Sequence, residues 1–174
     1  SGMRTAITES DPAGTTRTVA YAYDALKRLT SEAIIHRDPT RNRTSTWTYD
    51  RVGNRLTQAV QTAAGTVGAA SAATQYTYDA NDRLTSEATT AGAATASTLY
   101  TYDANGNDVT KTTASGPVEY VYNDANRLAE MRQSGARTTY AYDADGLRVG
   151  QTRYPTTGDP VTTRYLQDPS YAYS

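Results

Sequence analysis

The sequence predicts an all-β chain, a repetitive strip of antiparallel β-hairpins running as a meander, and three observations carry that prediction. One short string, an aromatic-x-Tyr-Asp followed a few residues later by Arg-Leu, recurs along the chain. Within it large rings and small residues alternate with period two among Thr, Val and Tyr, which is strand chemistry. Turn-forming residues follow the aspartate at once, so each copy holds a strand, a turn and the start of a second strand.

Repeats are sought first because a missed period misreads the whole fold. Six copies align: "YAYDALKRL" from Tyr21, "WTYDRVGNRL" from Trp47, "YTYDANDRL" from Tyr76, "YTYDANGNDV" from Tyr100, "YVYNDANRL" from Tyr120 and "YAYDADGLRV" from Tyr140. The repeat cores fall near 21–32, 47–58, 76–87, 100–111, 120–130 and 140–151, in a single array over 1–174. A degraded seventh, "YLQD", starts at Tyr165, and the opening segment reads as the second half of a preceding copy. Ser1 to Met3 read as a cloning remnant. Between copies lie turns of varied sequence, "DPTRN", "AAGTVG", "TAGAA", "ASGP", "QSGA" and "TTGDP". One fixed kind of turn therefore alternates with one variable kind.

The fixed turns come in two lengths. Asp24 to Arg28, Asp79 to Arg83 and Asn123 to Arg127 enclose three residues, whereas Asp50 to Arg55, Asp103 to Asp108 and Asp143 to Arg148 enclose four, in strict alternation. Each longer loop contains a glycine, Gly53, Gly106 or Gly146. If Asp and Arg face each other, Tyr23 falls opposite Leu29, Tyr49 opposite Leu56, Tyr78 opposite Leu84, Tyr102 opposite Val109, Tyr122 opposite Leu128 and Tyr142 opposite Val149. The extra residue is then absorbed in the turn, because a one-residue slip inside the strands would send every ring to the other face. Each such pair is worth roughly 0.2 to 1 kcal/mol, so repetition has to hold the fold.

Composition narrows the function. Of 174 residues 37% are hydrophobic, Phe is absent, and the rings are 15 Tyr and one Trp, so almost every ring carries a polar handle and a thick dry core is not expected. Mean hydropathy is -0.68. A net charge of -1 offers no field for nucleic acid or an anionic membrane, and no apolar run reaches the ~20 residues that would insert in a bilayer. Without cysteine there are no disulfides and no thiol nucleophile.

The string Y-x-Y-D-x-x-G-R-L, with "DPAG" at 11–14 and the Gly53-Asn54 variant, resembles the YD repeats of the Rhs family, related to those of bacterial polymorphic toxins, insecticidal toxin complexes and teneurins. The likeness covers almost the whole chain. It implies a β-hairpin strip that winds into a hollow shell, which in toxin members encloses a C-terminal effector domain. This chain would then be an open, twisted segment of such a wall, secreted or on the bacterial cell surface, with neighbouring repeats and an enclosed effector as partners. No residue of the family's self-cleaving core is matched, and no catalytic residue is carried over.

His36 is the only histidine, which leaves no multi-histidine metal site, and a surface histidine before a turn is expected. "DANGND" at 103–108 and "DADG" at 143–146 open like calcium loops without the spaced carboxylates that calcium needs, so Asx turns are expected. Asp108 stands where Arg55 and Arg148 stand in the other longer copies, which makes Asp103 and Asp108 a candidate for weak cation binding against the plainer reading of two solvated carboxylates. The paired tyrosines could form a ladder that binds sugar rings; as the cement of a single-layer sheet they need no ligand. "NRT" at 42–44 fits a glycosylation sequon and reads as chance. The Gly65–Gly68 stretch and the tract 89–98, rich in Ala, Thr and Gly, are expected to be the least ordered.

The expected function is a non-catalytic structural repeat segment, needing no cofactor, with terminal strands open to self-association. A carbohydrate-binding or adhesion module using the tyrosine ladder is the alternative. Carboxylates scattered over equivalent turn positions do not converge as an enzyme's would.

Overall fold

The computed structural model describes residues 2–63 and 71–165. The chain divides into two compact units, Ser1–Ser97 and Thr98–Ser174. The first holds strands β1 (Ala6–Asp11), β2 (Gly14–Tyr23), β3 (Leu29–His36), β4 (Arg43–Tyr49), β5 (Arg55–Thr62), β6 (Ala72–Tyr78) and β7 (Leu84–Ala91), with one turn of 3-10 helix at Pro39–Arg41. Strand β8 (Ala94–Tyr102) runs through the division. The second unit continues with β9 (Asp108–Thr113), β10 (Gly116–Tyr122), β11 (Leu128–Gln133), β12 (Ala136–Tyr142), β13 (Arg148–Tyr154) and β14 (Val161–Arg164). Strand order in the sheet is chain order, and the described pairings are antiparallel, which is the predicted all-β hairpin meander.

The two sequence lengths of the fixed turn correspond to a single backbone geometry. In all six hairpins the Asp or Asn at position i donates its backbone N–H to the carbonyl of residue i+4: Asp24 to Arg28, Asp50 to Asn54, Asp79 to Arg83, Asp103 to Asn107, Asn123 to Arg127 and Asp143 to Leu147, at 2.9–3.0 Å. Residue i+3 takes positive φ every time, at Lys27, Gly53, Asp82, Gly106, Asn126 and Gly146. This is a three-residue loop closed by a left-handed residue. The glycines of the longer copies thus occupy a position that the shorter copies fill with Lys27, Asp82 and Asn126.

The expected register is accordingly corrected for half of the hairpins. Tyr23, Tyr78 and Tyr122 pair with Leu29, Leu84 and Leu128 as predicted. Tyr49 pairs with Arg55, Tyr102 with Asp108 and Tyr142 with Arg148, in place of Leu56, Val109 and Val149. Every hairpin thus pairs residue i−1 with i+5 and carries a β-bulge one residue further on: the register shifts between Ala22 and Tyr23, Thr48 and Tyr49, Thr77 and Tyr78, Thr101 and Tyr102, Val121 and Tyr122, and Ala141 and Tyr142. A bulge sets two residues against one and increases local twist, and the two sequence types run in the same register on both sides of it. Thr30, Leu56, Thr85, Val109, Ala129 and Val149 are the residues left over.

The sheet has two unlike faces. The tyrosines of each pair are half-buried on one, Tyr76 fully so, and the residues between them, Ala22, Thr48, Thr77, Thr101, Val121 and Ala141, are exposed on the other. There hydroxyls bond across strands, Thr48 to Thr57 at 2.6 Å and Thr152 to Thr162 at 2.9 Å. Deep burial is confined, among the described residues, to Val19, Ser45, Tyr76 and Gly150. The thin core expected from composition follows from the described strands forming one sheet, a single layer.

The variable turns differ in construction. Ser134 and Gly135 both have positive φ, a two-residue turn whose twist suits a hairpin. Asp38 caps the 3-10 turn through Thr40. The tract 89–98 forms the end of β7 and much of β8 around Gly92. Gly65–Gly68 lies outside the described residues, as does the degraded copy after Tyr165.

Candidate functional site

The positions singled out by sequence gather along two lines of each unit, the row of fixed turns and the tyrosine face. At the turns the carboxylate of residue i accepts backbone N–H groups from i+2 and i+4: Leu26 and Arg28 at Asp24, Val52 and Asn54 at Asp50, Asn81 and Arg83 at Asp79, Asn105 and Asn107 at Asp103. Asn123 does the same with a neutral side chain, and Asp143 accepts from Leu147. This is an Asx turn, and it explains why Asp or Asn stands there.

The side chain at i+4 completes the turn and separates two kinds of hairpin. In the shorter copies it is arginine, and Arg28 and Arg83 each place Nε 2.7 Å from the second carboxylate oxygen of Asp24 and Asp79. In two of the longer copies it is asparagine, and the Nδ2 of Asn54 and Asn107 bonds that same oxygen of Asp50 and Asp103 at 3.0 and 2.9 Å. An amide thus takes the guanidinium's place, and the arginine of the longer copy moves to i+5.

These bonds hold Asp24 and Asp79 below the usual carboxylate range, the backbone N–H groups of Arg28 and Arg83 contributing most. Asp103 is lowered chiefly by the Asn107 amide. At Asp50 partial desolvation pushes upward, and the N–H of Gly53 with the Asn54 amide and backbone overcome it. Asp103 therefore has its charge met by its own turn.

The same i+4 side chains reach the next hairpin. Arg28 Nη1 donates to the Asp50 carbonyl at 2.7 Å, and its guanidinium lies over Tyr49, 4.9 Å from the ring centre. Asn54 donates to Asp82 at 2.8 Å, and Asn107 to Asn126 at 3.1 Å. Asparagine at i+4 therefore meets a polar side chain at i+3 of the following turn. Arg127, opposite the neutral Asn123, packs over Tyr142 and against Gly146, where a Cβ would fall 2.2 Å from its Nη2. In three hairpins the i+4 side chain therefore meets the i+3 residue of the next turn: Asn54 at Asp82, Asn107 at Asn126 and Arg127 at Gly146.

The second tyrosine of a pair ties its hydroxyl to the preceding hairpin. Tyr49 donates to the Leu29 carbonyl at 2.8 Å, Tyr78 to Arg55 at 2.9 Å and Tyr142 to Leu128 at 2.8 Å, each acceptor standing at i+5. Tyr23 donates to Arg4 at 2.9 Å, in the opening half-copy. Over the first tyrosines lie cations from i+5: Arg55 at 4.5 Å from Tyr76, Arg148 at 5.4 Å from Tyr140 and 5.3 Å from Tyr165. Rings, guanidinium groups and carbonyls interlock on this face.

The remaining candidates stay apart. His36 accepts from the Asp38 N–H through Nδ1 beside the 3-10 turn, and its own N–H bonds Asn42. No group of three or more His, Cys, Asp or Glu is placed to hold a metal among the described residues. "DANGND" and "DADG" form the Asx turns just described. Asp108 leaves the turn and sits on the tyrosine face opposite Tyr102.

A family model described as Teneurin YD-shell matches residues 5–158, most of the chain. The chain belongs to the Teneurin YD-shell family. Its YD motif is the Asx turn with its preceding tyrosine, and the YD-shell assignment agrees with the Rhs-type resemblance and a structural role. No curated protein matches the chain. Among solved structures, one of TcdB2-TccC3-Cdc42 is similar at 15% identity and a TM-score of 0.48, over 92% of this chain. This YD-shell chain spans 12% of the length of that one. A porin-like protein from Bacteroides uniformis is similar over 89% of this chain and 90% of its own, at 12% identity and a TM-score of 0.28. No helix among the described residues is long and apolar enough to cross a membrane.

Sequence reasoning missed the i+4 and i+5 exchange because it aligned copies on arginine. Counting forward from the aspartate puts Gly53, Gly106 and Gly146 on Lys27, Asp82 and Asn126, and that signal was present in the sequence.

Proposed function

We propose that this chain is a length of wall in a YD-repeat shell, a non-catalytic scaffold whose larger protein encloses or delivers a toxin domain. One observation carries the reading. Polar and aromatic side chains at recurring positions of the repeat are spent on bonds from one hairpin to the next: Arg28 to Asp50, Asn54 to Asp82, and Tyr49, Tyr78 and Tyr142 to carbonyls. Repeat proteins are stabilised by such nearest-neighbour terms, and a wall needs nothing else. The partners in this reading are neighbouring repeats and an enclosed effector domain, and the setting is secreted or cell-surface.

The test is protease protection in the longest natural polypeptide that contains this segment. With the wall intact, an enclosed domain resists added protease. With Tyr49→Phe, Tyr78→Phe and Tyr142→Phe combined, cleavage of that domain accelerates. Equal cleavage of both proteins contradicts the enclosing role. Saturable binding of a polysaccharide, lost when the Tyr76 and Tyr140 rings are removed, would favour adhesion.

A further inference from the structure

The repeat contains one position where its own pattern is reversed. In the Asp50 and Asp143 hairpins residue i+5 is Arg55 and Arg148, and each guanidinium lies over the first tyrosine of the following copy, Tyr76 at 4.5 Å and Tyr165 at 5.3 Å. In register, Thr57 pairs with Gln75, Gly150 with Arg164 and Thr110 with Glu119. Each first partner stands two residues after i+5, and each second partner stands one residue before a tyrosine. Asp108 therefore occupies the arginine's place, and Tyr120 is the ring that would lie beneath the missing cation.

The carboxylate that replaces the arginine is only partly satisfied. Asp108 has its Oδ1 buried with no hydrogen-bond partner. Desolvation raises its pKa, opposed by the charge of Lys111 and by a backbone N–H bond from Thr110, and the carboxylate in turn helps to raise the pKa of Tyr120 and Tyr122, whose own burial is the larger cause. Lys111 lies over Tyr100 at 5.7 Å, and Asp103 is satisfied within its own turn. No cation lies over Tyr120 among the described residues.

We propose that Asp108 with the rings of Tyr120 and Tyr122 is a binding site for a guanidinium or alkylammonium group supplied by a ligand or partner, which enters where equivalent hairpins hold their own arginine. A planar organic cation there meets a ring face, as Arg55 does at Tyr76, and adds to it the Asp108 carboxylate. Calcium fits worse, since it takes six to eight oxygen ligands and Asp108 brings one carboxylate. The site does not depend on whether the wall encloses a domain.

The experiment is an NMR titration of the full chain, following the Asp108 carboxyl carbon and the Tyr120 and Tyr122 ring signals. N-acetyl-arginine amide is the probe, and its neutral isostere N-acetyl-citrulline amide is the control. A saturable shift with the arginine compound alone is expected, weakened about tenfold or more by Asp108→Asn and abolished by Asp108→Arg, which supplies the cation from the chain itself. A short arginine-containing peptide separates the sources. If it binds markedly tighter than the amide, a polypeptide partner is the ligand, and equal binding points to a free small cation. No shift, an equal shift with citrulline, or a shift retained in Asp108→Asn overturns the proposal. So does binding that appears only in Lys111→Gln, which would show that Lys111 fills the site.

Discussion

Gly146→Ala and Gly106→Ala form a matched pair of perturbations. Both glycines stand at i+3 of a fixed turn with φ of 86°, so an added Cβ meets the same backbone strain, roughly 1–2 kcal/mol for an L-residue in the left-handed region. Their surroundings differ. Around Gly106 nothing lies within 4 Å of the new Cβ, whereas at Gly146 it would be 2.2 Å from Arg127 Nη2 and 2.4 Å from Cζ. Arg127 must then leave its seat over Tyr142, 5.8 Å from the ring, and an exposed cation–π contact of that kind is worth about 0.5–1 kcal/mol. Gly146→Ala should therefore cost about 0.5–1 kcal/mol more than Gly106→Ala, a further drop of about 1–4 °C in a chain of this length. Urea unfolding of both variants, alone and with Arg127→Ala, measures the difference. Equal costs, or a difference that survives removal of Arg127, would refute the packing of Arg127 against Gly146 as the source of the added cost.

Four further outcomes rest on the same geometry. Lys27→Gly should stabilise by up to about 1 kcal/mol, because relief of left-handed strain at φ of 65° exceeds glycine's added unfolded-state entropy; thermal unfolding reads it directly. Tyr49→Phe deletes the 2.8 Å bond to Leu29 and should cost about 1 kcal/mol, with faster amide exchange confined to β3 and β4, whereas uniform loss of protection would argue against a local tie. The folded pKa values of Asp24, Asp50, Asp79 and Asp103 lie below their unfolded values, so their contribution is present above pH ~4 and is lost as pH falls through the folded values. Asp108, raised by burial, has the opposite sign: Asp108→Asn should stabilise near pH 7, with the gain vanishing in acid, and acid–urea titrations of both proteins show the crossing or its absence.

How much of this was legible depended on whether a residue's role is local. Period-two alternation of tyrosines, turn residues after each aspartate and the low apolar content led to strands, hairpins and a thin core, since these follow from backbone chemistry within a few residues. The bulge left no mark, because Thr30, Leu56, Thr85, Val109, Ala129 and Val149 are ordinary strand residues, and a bulge is a property of pairing. Aligning on arginine hid it further. Arg28 and Arg55 look equivalent in sequence, yet one closes its own turn on Asp24 and the other lies over Tyr76. The ties between hairpins were also out of reach, since no local signal says that Asn54 will meet Asp82 or that Arg127 will rest on Gly146. Asp108 was noticed as a departure, and its setting beside Tyr120 and Tyr122 became visible only with the register.

The central claim, that this chain is a stretch of shell wall, is tested most directly by a cryo-electron microscopy reconstruction of the longest natural polypeptide containing it. The account predicts residues 5–158 as one run of a continuous β-hairpin wall, with the same turn and bulge in every copy and a further domain enclosed by the wall. A segment standing as a separate lobe, with its tyrosine face open to solvent and no wall continuing from it, would contradict it.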